Sequence, residues 1–108
     1  MDTTSLSDAI RQQIKRTVHS VAPDAEVILY GSMARGDAHS DSDIDLLILL
    51  NRPSLRFDEK TTIMDSLYLL ELDLGVLISP VIHTHEEWHH PPFKTPFYIN
   101  VSNEGVRL

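Results

Sequence analysis

The sequence predicts an α+β fold in a single domain, and three observations carry that expectation. Apolar residues recur at helical spacing in two stretches, residues 10–21 and 63–70. Between and after these stretches lie apolar runs too short for helices, Val27-Ile28-Leu29-Tyr30 and Ile44 to Leu50. The length of 108 residues with 42% hydrophobic content supplies one modest core and little for a second, so residues 1–108 read as one domain.

In the first element, Ser5 and Ser7 offer N-caps. Ile10, Ile14, Val18 and Val21 then form an apolar stripe opposite Arg11, Gln12, Lys15 and Arg16. Pro23-Asp24 ends this helix, and Val27 to Tyr30 follows as a short buried strand. Gly31-Ser32 breaks the strand, and residues 33–42 are polar, with Gly36 and Asp37 as turn formers. Ile44 to Leu50 has no polar alternation, which predicts a central strand covered on both faces. A second long helix is expected from Leu55 to Leu70, with Ile63, Leu67 and Leu70 on one face and Asp58 and Glu59 in the first turns. Leu72, Leu74 and Val76 alternate with Glu71, Asp73 and Gly75, which predicts a third strand projecting both acids from one face. Beyond Pro80 the histidines and prolines break any clean period; Glu86-Glu87-Trp88 and Phe97 to Val101 read as short helices.

Nine basic side chains against sixteen acidic ones give a surface field that repels a polyanion, so long nucleic acid is a poor partner. The absence of cysteine excludes disulfides, thiolate zinc sites and cysteine nucleophiles, and suits a reducing cytoplasm. The start, Met1-Asp2-Thr3-Thr4, has neither the basic region nor the apolar run of a secretion signal, and no apolar run is long enough to span a membrane.

The chemistry is concentrated in Gly31-Ser32-Met33-Ala34-Arg35-Gly36 and Asp41-Ser42-Asp43-Ile44-Asp45-Leu46. Strand residues two apart point the same way, so Asp43 and Asp45 present both carboxylates on one face. Two carboxylates this close repel each other unless a proton or cation lies between them, and Mg2+ or Mn2+ suits such a pair with phosphate oxygens completing the shell. Gly31 permits close approach of a phosphate, Ser32 supplies a hydroxyl and an N–H where a short helix begins, and Arg35 stands one turn further with its donor fork. A lone Asp-x-Asp or a lone Gly-Ser is common at turns. Together, each at a strand boundary, they are far more specific.

Gly31-Ser32, ten intervening residues, then Asp43-Ile44-Asp45 resembles the nucleotidyltransferases of the DNA polymerase β superfamily, and the Ala34-Arg35-Gly36 and Asp41 to Leu46 wording is similar to their minimal nucleotidyltransferase branch. The resemblance implies a small mixed β-sheet backed by helices. It also implies a third acid on a neighbouring strand that helps hold the metal or acts as general base, for which Asp73 is the choice and Glu71 the alternative. The activity implied is transfer of a nucleoside monophosphate, AMP with ATP as donor, to a hydroxyl. The partner implied is a HEPN-type toxin that the chain would neutralise as an antitoxin, with no added domain to hold RNA or an antibiotic. The alternative is an antitoxin that binds and masks its toxin without catalysis.

Other features read as structural. His85 and His89 stand at i and i+4, a zinc spacing, but no acid nearby is placed for hydrolysis. Trp88, Phe93, Phe97 and Tyr98 read as packing over the edge of a small sheet.

Overall fold

The computed structural model describes residues 6–36 and 43–108; Ser5, Asp37 and Asp41-Ser42, which the sequence reading invokes, lie outside the described residues. Ser7 caps the first helix, α1 (Asp8–Val21), its hydroxyl accepting from the Ile10 N–H at 3.2 Å. Chain order then runs β1 (Glu26–Tyr30), α2 (Ser32–Arg35), β2 (Ile44–Leu50), α3 (Phe57–Leu74), β3 (Ile78–Thr84), α4 (His85–His89), α5 (Pro96–Glu104) and β4 (Val106–Arg107).

The four strands form one mixed sheet in the order β3-β2-β1-β4. β2 lies antiparallel to β1 and parallel to β3, and β4 closes the far edge antiparallel to β1. A parallel neighbour requires a long crossover, and α3 supplies it. The small mixed sheet backed by helices that the resemblance implied is therefore present.

Parity along β2 decides what each face carries. Ile44, Leu46, Ile48 and Leu50 join Ile14 and Val18 of α1 and Ile63 and Leu67 of α3 in the larger core. The intervening Leu47 and Leu49 face the other way, against Trp88 of α4 and Val101 of α5. Every residue of β2 from Leu46 to Leu50 is fully buried, as a central strand covered on both faces must be. Fully burying one such leucine contributes about 1.5–3 kcal/mol.

The third strand lies later than the sequence reading placed it. Glu71 and Asp73 belong to the last turns of α3, because Leu70 and Leu74 continue the stripe begun by Ile63 and Leu67 at spacings of three and four. The helix stops where Gly75 takes a left-handed conformation at φ 71° and its N–H bonds to the Glu71 carbonyl at 2.9 Å. The alternation of Leu72, Leu74 and Val76 was thus a helical surface seen at period two. α4 and α5 form near the expected positions, each capped by a threonine, Thr84 and Thr95.

Candidate active site

Three strands meet in a row at one end of the sheet. Tyr30, the last residue of β1, pairs with Asp45 of β2, which pairs with Ser79 of β3. The next row along the same face is Ile28, Leu47 and Val81, which packs beneath α4 and α5. Asp45 therefore occupies, at the open end, a position whose successors on β2 are buried leucines. Its parity puts its carboxylate on the α4–α5 side.

Gly31 follows Tyr30 with φ 77° and ψ −158°, a conformation open to glycine. Its Cα lies against Asp45: a methyl group there would stand 2.4 Å from the Asp45 carboxylate Oδ2. The chain then enters α2, where the N–H groups of Ala34 and Arg35 both close on the Gly31 carbonyl at 3.1 and 3.0 Å. Gly36 ends this turn in the left-handed region, donating to the Ser32 carbonyl. The Arg35 guanidinium donates to both carboxylate oxygens of Glu104, at 3.1 Å each, and Glu104 Oε1 also accepts from the Gly31 N–H at 3.2 Å.

Asp43 stands immediately before β2, and its Oδ2 accepts from the Ser79 hydroxyl at 3.4 Å. Burial and then the neighbouring Asp43 push the Asp45 carboxyl above its ordinary value; Arg35 opposes this shift and Glu104 adds to it. The Tyr30 phenol is pushed up by burial and then by Asp45 beside it, so it stays protonated at neutral pH.

The structure thus brings together Gly31, Ser32, Arg35, Asp43 and Asp45. It does not bring Asp73 or Glu71 onto the strand beside them. Asp73 is exposed on α3, and the Glu71 carboxylate accepts from the Ile78 N–H at 2.8 Å, fastening the end of α3 to the start of β3. β3 itself carries no acid, and the residue opposite Asp45 is Ser79. The sequence reading missed Ser79 because its strand was drawn too early. It missed Glu104 because nothing local links residues 73 positions apart.

Asp43 and Asp45 suit a hard divalent cation such as Mg2+ or Mn2+: both offer carboxylate oxygens, and a cation would offset the burial, and then the Asp43 repulsion, that lift Asp45. No group of three or more His, Cys, Asp or Glu side chains arranged for a metal is present among the described residues. Two carboxylates with water and phosphate oxygens are a composition Mg2+ accepts. The His85 and His89 rings stack on each other 5.8 Å apart on α4, without the further ligands a zinc site needs among the described residues. Phe97 meets Tyr30 edge-on at 5.4 Å and, with Trp88 and Tyr98, borders a cavity of about 280 Å³ on the same face as the carboxylates; Phe93 lines it too but is largely exposed, so it does not pack as expected.

The model of the nucleotidyltransferase domain family matches residues 10–104. The chain belongs to the nucleotidyltransferase domain family. Among similar proteins is the Methanocaldococcus jannaschii protein named "Putative protein adenylyltransferase MJ0141", 36% identical over 102 residues, covering 92% of this chain and 95% of that protein. A second from the same organism, "Putative protein adenylyltransferase MJ0604", is 36% identical over 80 residues, covering 74% of this chain and 73% of its own length. A solved structure described as a toxin-antitoxin with AMP-PNP shares the fold, with a TM-score of 0.62 at 18% identity over 89% of this chain and 69% of that one. This nucleotidyltransferase is of the minimal type, and its Gly-Ser turn and Asp-x-Asp strand meet in space at the contact between Gly31 and Asp45.

No helix among the described residues is long and apolar enough to cross a membrane.

Proposed function

We propose that this nucleotidyltransferase transfers AMP from ATP to a hydroxyl on a partner protein, and that the partner is a HEPN-type toxin which the chain neutralises as a cytoplasmic antitoxin. The observation that carries the reading is the packing of Gly31 against the Asp45 carboxylate, which joins a turn fit for phosphates to a carboxylate pair fit for Mg2+. Support for a protein acceptor comes from the relatives named as protein adenylyltransferases, and support for a toxin partner from the description of the fold neighbour.

In the reaction, the acceptor oxygen attacks the α-phosphorus, the bond to the bridging α–β oxygen breaks, pyrophosphate leaves, and the hydroxyl proton passes to solvent. Asp43 and Asp45 would hold a divalent cation, which when bound would neutralise charge at the phosphates. Gly31 lets the turn close on the Asp45 carboxylate, and the Ser32 hydroxyl and Arg35 guanidinium donate to the triphosphate oxygens. Tyr30 and Phe97 stand edge-on beside the site on its α5 side.

The test is to incubate the chain with Mg2+, α-labelled ATP and the product of the gene beside its own, and to follow label and mass on both proteins. A gain of one AMP on the neighbour, lost in the Asp43→Asn/Asp45→Asn variant, is expected. A tight complex that forms without nucleotide, neutralises the toxin and survives that double substitution would replace transfer with masking.

A further inference from the structure

We propose that Glu104 is a positioning residue of the nucleotidyltransferase site, one that clamps the Gly31–Arg35 turn from the opposite end of the chain. It accepts from the Gly31 N–H with one carboxylate oxygen and receives the Arg35 guanidinium on both. A single side chain thus grips both ends of the turn that must meet the phosphates.

The frame behind Glu104 is stiff and is shared with the site. Thr95 caps α5, Val101 is buried in its second turn, and Glu104 is its last residue. The next residue, Gly105, has no room for a side chain: a methyl there would stand 2.6 Å from the Val101 carbonyl and 2.8 Å from the Ile28 side chain. β4 then pairs with β1 through Ile28–Arg107 and Leu29–Val106, and the Leu108 N–H reaches the Val27 carbonyl at 2.9 Å. β1 is also the strand that runs into Gly31. The backbone just after Glu104 is therefore tethered to β1, the strand that leads into Gly31.

The clamp has a chemical consequence at Asp45. The Gly31 peptide takes a backbone conformation that needs an outside contact to fix it, and its Cα rests on the Asp45 carboxylate. Fixing the Gly31 N–H therefore fixes the wall against which Asp45 stands. Tying Arg35 to Glu104 holds its guanidinium near the turn and lowers the conformational cost when a phosphate arrives. As an ion pair alone the contact would be weak, since the Arg35 side chain is 47% exposed. Its value lies in geometry, and so its loss is expected in nucleotide handling more than in stability.

The inference rests on the nucleotidyltransfer reading, so two readouts separate them. ATP affinity in Mg2+ and pyrophosphate release are measured for the wild type and for Glu104→Ala, Glu104→Gln and Arg35→Ala. Amide hydrogen exchange over residues 31–35 is measured without nucleotide. In Glu104→Ala, exchange is expected to rise and ATP dissociation constant and KM to increase about tenfold or more, with little change in melting temperature. Glu104→Gln keeps an oxygen for the Gly31 N–H and should recover part of the loss. Adding Arg35→Ala to Glu104→Ala should cost less than the sum of the two changes. Tighter ATP binding in Glu104→Ala would mean that the carboxylate obstructs the phosphate donors, and it would overturn the proposal, as would unchanged exchange at the turn. A wild type that neither binds ATP nor releases pyrophosphate would count against the transfer reading, while the exchange data would still decide whether Glu104 clamps the turn.

Discussion

Gly31→Ala separates folding from function at this site. The added methyl meets Asp45 Oδ2 at 2.4 Å, Cγ at 3.3 Å and Cβ at 3.5 Å, where ordinary contact begins at 3.4 Å. Relief requires the carboxylate to swing away by about 1 Å, the difference between 3.4 and 2.4 Å. A positive φ of 77° adds backbone strain for any L side chain, of order 1–3 kcal/mol. A small domain carries roughly 5–15 kcal/mol of stability, so the variant should still fold. Activity should suffer far more, because a 1 Å misplacement of a catalytic group costs about 100-fold. Pyrophosphate release measured with saturating ATP and partner, alongside urea denaturation, gives both numbers. The reasoning fails if the folded variant keeps its rate within about threefold of wild type, or if the lost rate merely tracks the unfolded fraction.

Asp45→Asn should raise the melting temperature while abolishing transfer, since it removes a charge that burial and Asp43 both disfavour. The sign follows from linkage: the folded pKa lies above the unfolded one, so the folded state binds the proton more tightly and the wild type loses stability as pH rises through that window. Melting curves of both proteins across the acid range should diverge with rising pH, and parallel curves would refute this account. Ser79→Asp places a third carboxylate opposite Asp45 and should enlarge the stabilisation by Mg2+ while lowering stability without it; an unchanged Mg2+-induced shift in melting temperature would argue against the site geometry. Leu46→Ala, at a fully buried position in β2, should cost about 2–5 kcal/mol in chemical denaturation, and a loss under 1 kcal/mol would show that the core collapses around the gap.

The sequence alone determined the elements whose signal is local. The stripe from Ile10 to Val21, the unbroken run from Ile44 to Leu50 and the glycine after Tyr30 each act over a few residues, and α1, β2 and the Gly31 turn lie where those signals put them. That Asp43 and Asp45 share a face was legible for the same reason, since strand parity fixes which side chains point together, whereas their link to the Gly-Ser turn came from the resemblance to nucleotidyltransferases. Local pattern could not choose between helix and strand for residues 71–76, because apolar residues two apart also fall on a helix when others three and four apart precede them. The stripe through Ile63, Leu67, Leu70 and Leu74 runs on as one helical face packed into the larger core, and Gly75 ended it. Only the tertiary structure decided what stands beside the carboxylates. Strand register sets Tyr30 and Ser79 on either side of Asp45, and the return of the chain through α5 and β4 brings Glu104 across 73 residues to the Gly31 N–H. Such contacts are fixed by which faces must be buried together, a condition satisfied by the whole fold and written in no single segment of the chain.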